Sequence, residues 1–238
     1  MTKKKQWILS LALVALVAVV LAAGMTAWSG RDLPKRAVKE ADAEIQALYE
    51  PSPEPSLRFK ELLARNPDTI GWIQIKDTAV DYPIMHTSDN DFYLHHDFNK
   101  NPSAAGQVFM DYRNKGDGSD MNMILYGHSM ADGSIFSGLF AFKDEDFFRS
   151  HQILEIDTIY GLTRLEIFSA YVTSPDFYYI HTDFYYPTEE QAFKDAIAAK
   201  SKYPTGIRLT LEDRILTLST CSYEFEDAYF VIHARKIP

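Results

Sequence analysis

Cysteine is almost missing from this chain of 238 residues: there is one, Cys221. A lone cysteine forms no internal disulfide and builds none of the paired-cysteine motifs of redox or zinc proteins. Positive charge is short as well. Lys and Arg number 24 against 33 Asp and Glu, a formal net charge of −9, and no basic cluster follows Lys3, Lys4 and Lys5. That balance argues against nucleic acid as a partner. No internal repeat is visible, which sets aside solenoids and propellers. There is a single long apolar run, Ile8–Ala27, twenty residues without a charge.

That run is long enough to span a hydrocarbon core at about 1.5 Å per residue. Three lysines precede it, and Trp7 and Trp28 stand where interfacial aromatics belong. The small residues Ala22, Ala23 and Gly24 also suit a cleaved signal peptide, but the run exceeds the usual apolar length of such signals, about 7 to 15 residues. The expectation is an uncleaved, single-pass anchor through residues 8–27, with the lysines cytoplasmic and the rest of the chain extracellular. A free thiol in that setting is a candidate reactive group.

The division expected is 1–30 for the lysines and anchor, 31–56 for a helical stalk and linker, and 57–238 for one folded domain. Arg31–Glu50 is rich in helix formers, and Pro51, Pro53 and Pro55 end it in a semi-rigid spacer. Ser56 is the expected cap of a short helix through Arg65. Short strands and turns follow. Strands are expected at Ile70–Ile75, Val80–Met85, Gln107–Met110, Met121–Tyr126, Gln152–Ile156 and Arg164–Thr173, with a turn at Tyr160–Gly161. Asp89–His95 reads as a short helix or turn, Ser134–Phe142 has helical spacing, Asp144–Asp146 opens a helix, and Thr188 caps a helix through Lys200. Many short strands with few helices imply a mainly β barrel or sandwich.

The last strand before the C-terminal segment carries the chemistry. Arg214–Thr220 alternates Leu216, Leu218 and Thr220 on one face with Thr217, Ser219 and Cys221 on the other. Cys221 therefore closes a strand on its small, polar side, where a scaffold can present a nucleophile from a loop edge. A buried, inert cysteine is the bland alternative. A thiolate nucleophile needs a base or a cation nearby. Of the seven histidines, His128 follows the apolar strand Met121–Tyr126 and a glycine, so it too lies at a strand end.

MNMILYGHSM (Met121–Met130) and LTLSTC (Leu216–Cys221), in this order, resemble the paired signatures of the sortases, specifically class B. TIGWIQI from Thr69, YPIMHTSDNDFYLHHDF from Tyr82 and GQVFMDYRN from Gly106 extend the resemblance from about Asn66 to the C-terminus. The resemblance implies a closed eight-stranded β-barrel with the cysteine ending the seventh strand and the histidine just after the fourth. It implies a cysteine transpeptidase that needs no cofactor. Its partners would be secreted proteins bearing a C-terminal sorting signal and a peptidoglycan stem or cross-bridge amine. In that reading Cys221 is the nucleophile that cleaves after threonine through a thioester, and His128 is the acid–base partner. Ser219, Thr220 and Tyr229 are the candidate oxyanion or substrate-binding residues.

Tyr229 is the departure from the pattern. Class B sortases of this type carry an arginine eight positions beyond the cysteine, and here that position is tyrosine. Arg235 lies six residues further, roughly 20 Å along a strand, which leaves Arg113 or another distant arginine as the substitute. An acidic residue two positions after the cysteine is also replaced, by Tyr223, so no acidic third member is assigned, although Glu224 and Asp227 are close in sequence. No metal is expected. His95–His96 lacks completing ligands, and Asp117–Asp120 lacks the length of a calcium loop and reads as a turn. The aromatic run Phe177–Pro187 reads as packing, or as a wall of a sorting-signal groove. A papain-type Cys–His hydrolase fits less well, since its cysteine opens a helix. A sortase-fold protein that binds sorting signals with little turnover is the alternative function.

Overall fold

The computed structural model describes residues 39–46, 48 and 59–237. The expected membrane anchor, the cap at Ser56 and the proline linker lie outside them. Among the described residues no helix is long and apolar enough to cross a membrane. Residues 39–46 and 48 are helical, in keeping with their composition.

The remainder builds eight strands: β1 (Thr69–Gln74), β2 (Asp81–Met85), β3 (Phe109–Met110), β4 (Asn122–Tyr126), β5 (Ile153–Thr158), β6 (Gly161–Thr173), β7 (Ile215–Cys221) and β8 (Tyr229–Lys236). They close a barrel in the order β1-β2-β3-β4-β7-β8-β6-β5, and closure removes the exposed sheet edge. All neighbours are antiparallel except β2–β3 and β4–β7. The parallel β4–β7 pair joins strands separated by the whole stretch between Tyr126 and Ile215. Barrel and strand positions agree with the sequence reading, shifted by one to three residues at most ends.

Four α-helices and one 3-10 helix decorate the barrel: α1 (Lys60–Arg65), α2 (Phe92–His95), the 3-10 helix (Phe136–Lys143), α3 (Glu145–Ser150) and α4 (Pro187–Ala199). The apolar spacing expected to give an α-helix at 134–142 gives the 3-10 form because its buried residues Phe136, Leu139 and Phe142 recur every third position, the period of that helix. The cap of α4 is also corrected. Pro187 occupies the first turn and Tyr186 precedes it, since proline lacks the N–H that a helix start leaves unused anyway. Asp144 caps α3, its carboxylate accepting from Phe147 N–H at 2.9 Å.

Two apolar layers sandwich β7. Inside the barrel, Leu216 and Leu218 pack with Ile73, Ile84, Leu125 and Ile232. Outside, Phe168, Tyr171, Tyr179, Phe193, Ile197 and Val231 form a second cluster beneath α4. Lys194, buried on α4, ties that helix down by donating to Glu190 (2.7 Å) and to the carbonyls of Thr210 (2.9 Å) and Asp213 (3.0 Å). All three of its donors are used, so burying the charge leaves none unmatched.

Candidate active site

The parallel ladder of β4 and β7 pairs Tyr126 with Ser219. Past the end of β4, Gly127 N–H still donates to Ser219 O (3.4 Å), and Thr220 Oγ1 donates to Gly127 O (2.7 Å). Continued by one more residue, this register sets His128 level with Cys221 on the adjacent strand end. The two residues singled out separately are thus brought side by side by strands 93 positions apart in sequence. Gly127 is needed because a Cβ there would come within 2.9 Å of Ile135 and Phe136 side-chain atoms. Those residues lock the turn after His128: Phe136 N–H donates to His128 O at 2.9 Å, and Ile135 N–H donates to Tyr82 Oη at 3.0 Å.

Cys221 is exposed and free. Partial burial of its sulfur pushes the thiol above its ordinary value, so the resting group is protonated at neutral pH. The half-buried His128 ring is held from the side opposite the barrel wall, with Nε2 2.9 Å from the main-chain carbonyl of Leu94 in α2. A carbonyl only accepts, so Nε2 is the protonated nitrogen and Nδ1 is left for proton exchange. The arrangement supplies a nucleophile beside a base whose protonation can be exchanged.

The other expected site residues occupy distinct positions. Tyr229 lies directly across from Cys221 in the β7–β8 ladder. Its ring packs on the outer cluster, 6.3 Å from that of Tyr179. Ser219 is buried, its hydroxyl 2.8 Å from Tyr179 Oη. Thr220 is buried too, with its hydroxyl committed to Gly127. Arg235 sits opposite Ile215, at the far end of β7, paired with Glu166 (3.0 Å). Arg113 is tied by four hydrogen bonds to the Asp111 carboxylate, Tyr178 Oη and Ile180 O. Burial would raise the pKa of Asp111, but bonds from Arg113 and Tyr126 outweigh it and hold the carboxyl below its usual range. Four of the five guanidinium N–H groups are consumed there, which leaves little for an oxyanion.

The β7–β8 loop is fastened on both sides. Glu224 is engaged by Lys143 and by Ser222 Oγ, and Tyr223 Oη donates to Ser129 O at 3.2 Å. His96 stacks on Phe92, Asp117 and Asp120 accept from their own turn's N–H groups, and no cluster of His, Cys, Asp and Glu able to hold a metal occurs among the described residues. In the aromatic run, Tyr179 is core, whereas Tyr178, Tyr185 and Tyr186 are exposed.

The family model of the sortase domain matches residues 73–237. The chain belongs to the sortase family. It is 40% identical over 183 residues to sortase B of Listeria monocytogenes, covering 75% of this chain and 74% of that protein. It is 38% identical over 172 residues to sortase B of Staphylococcus aureus, covering 72% and 69%. The crystal structure of Bacillus anthracis sortase B in complex with AAEK1 superposes with a TM-score of 0.80 at 40% identity, covering 86% of this chain and 98% of that one. The class B resemblance is therefore shown, and with it the enzyme class: sortases are cysteine transpeptidases. The sequence reading missed the Leu94 carbonyl, since a main-chain acceptor has no residue-type signature; its only trace was that Leu94 falls within the run from Tyr82 that carries the class B resemblance.

Proposed function

We propose that this sortase cleaves a C-terminal sorting signal after threonine and transfers the secreted protein to a peptidoglycan amine. The reading is carried by the β4–β7 register that brings the ends bearing His128 and Cys221 together. His128 takes the Cys221 proton as the sulfur attacks the threonine carbonyl. The imidazolium then protonates the leaving amine, leaving a thioester. The incoming amine attacks that thioester, gives its proton to His128, and restores the thiol. A raised thiol pKa makes this assisted deprotonation necessary at neutral pH. Support for both partners comes from relatives: one neighbouring structure is a Staphylococcus aureus sortase B–substrate complex, and another is sortase B complexed with triglycine. The apolar run at residues 8–27 supports membrane tethering with the barrel outside the cell.

The experiment is incubation of the protein with a library of sorting-signal peptides, followed by mass spectrometry of Cys221. An acyl adduct that vanishes in Cys221→Ala is expected. A folded protein that gives no adduct with any peptide sinks the transpeptidase reading in favour of a binding protein with little turnover. Tyr229, across from Cys221, is the observation that favours this second reading, because a neutral hydroxyl replaces a permanent charge. Loss of an oxyanion donor costs a factor of about 100 to 1,000 in rate. Tyr229→Arg is therefore expected to raise turnover, by up to about 100-fold. A slower variant would show that tyrosine is the adapted residue.

A further inference from the structure

We propose that Gly106 is a positioning residue for His128, acting through the main-chain carbonyl of Leu94. The inference rests on the reading of His128 as the acid–base group. Three consecutive carbonyls at the end of α2 are divided between two tasks. Those of Tyr93 and His95 are taken by the following loop, accepting from Gln107 N–H and Ser103 N–H, each at 2.8 Å. The middle one, Leu94, is left for His128 Nε2 at 2.9 Å. The 103–107 loop therefore sets the height and tilt of the acceptor that fixes the ring. Below it, the Tyr93 side chain is buried and anchored between Asp68 (2.8 Å) and Asn66 (2.8 Å), so the α2 backbone has a rigid foot.

Gly106 closes this arrangement. It has φ +59°, and a Cβ built on it would lie 2.6 Å from Tyr93 O and 2.7 Å from Leu94 O, distances no real side chain shows. A methyl at this position must push the Leu94 peptide away or rotate it. The consequence falls on His128, whose neutral tautomer is chosen by the bond its Nε2 makes. Freed of that bond, the ring shares its proton between both nitrogens, and a fraction presents Nδ1–H where a base is needed. This also accounts for why GQVFMDYRN, which contributes no reactive side chain, accompanies the two signatures.

The test compares Gly106→Ala with Gly118→Ala, whose φ of +84° carries similar backbone strain but whose added Cβ would meet nothing within 4 Å. A second perturbation replaces the Leu94–His95 amide by an ester, using an α-hydroxy acid at the exposed position 95. This weakens the Leu94 carbonyl as an acceptor without any methyl at 106. The readout is the 15N spectrum of the neutral His128 ring, assigned by loss of its signals in His128→Gln. The parent and Gly118→Ala should show Nε2 protonated and Nδ1 bare. Gly106→Ala and the ester should show both nitrogens moving toward the average, with turnover of an adduct-forming peptide down about tenfold, the worth of one neutral hydrogen bond. Nδ1 protonated in the parent, or an unchanged tautomer in either folded variant, overturns the proposal. The spectrum does not depend on turnover. A parent with the expected tautomer and no activity would count against the transpeptidase reading alone.

Discussion

The two faces of β7 are built on opposite principles, although both are buried. The inner face, Leu216, Leu218 and Thr220, meets Ala234, Ile232 and Phe230 across the β7–β8 ladder, and its one hydroxyl is used to tie β7 to Gly127. The outer face carries Thr217, Ser219 and Cys221 opposite His233, Val231 and Tyr229. Here a chain of hydrogen bonds runs through the apolar cluster. Tyr171 O–H donates to His233 Nε2 (2.8 Å), His233 Nδ1–H to Thr217 Oγ1 (2.9 Å), Thr217 O–H to Asn122 Oδ1 (2.7 Å), and Asn122 Nδ2 to His181 O (2.9 Å). The donor order is forced, because the single Thr217 proton goes to Asn122. Inner-face stability scales with area and shape, and tolerates exchange among apolar residues. The outer face depends on each partner being present, and it ends at Cys221. The nucleophile thus inherits its position from a hydrogen-bonded surface.

The largest effect that tests this contrast is a cavity on the inner face. Leu218→Ala should cost about 3 kcal/mol of unfolding free energy in urea titration, within the usual range of about 2 to 5 for a buried leucine. On the outer face, Thr217→Val keeps the shape and creates no cavity, yet should still cost about 2 kcal/mol. It strips His233 Nδ1–H of its acceptor and Asn122 of its donor, both buried. Thr217→Ser, which keeps the hydroxyl, should recover more than half of that loss. If valine proves as harmless there as an isosteric apolar swap is inside, the distinction between the faces fails.

Much of this was readable from the sequence where the information is local. The alternation around Leu216 and Thr217 assigned faces correctly, and both signature residues lie at strand ends as expected. What was not readable is long-range. Nothing in the two segments says that β4 and β7 pair in parallel, because that register depends on 88 intervening residues, Gly127 to Arg214, that form the rest of the barrel. The 3-10 period of Phe136, Leu139 and Phe142 was present but overlaps an α-helical pattern over so short a span. Pro187 as a helix start was legible and was passed over for the threonine beside it. The polar chain through His233 could not be foreseen, since period-two reasoning places a residue on a face without saying what covers it.

The smallest effect concerns pH, and it separates the faces by charge. Burial drives the pKa of His233 down to about 3, against about 6.5 when unfolded. Between these values the unfolded chain binds a proton that the folded one refuses, so stability contributed by this site is complete above about pH 6.5 and is lost as pH falls toward 3. The slope from one such group is about 1.4 kcal/mol per pH unit at most. Replacement by glutamine removes the titration while retaining an amide. His233→Gln should therefore be less stable than the parent at pH 7, and the gap should narrow steadily in urea titrations between pH 6.5 and pH 4. Leu218→Ala, on the face without a titrating group, should keep a constant gap over the same range. Parallel curves for His233→Gln would mean that its imidazole is not excluded from protonation in the fold, and the outer face would then lose its distinguishing sensitivity.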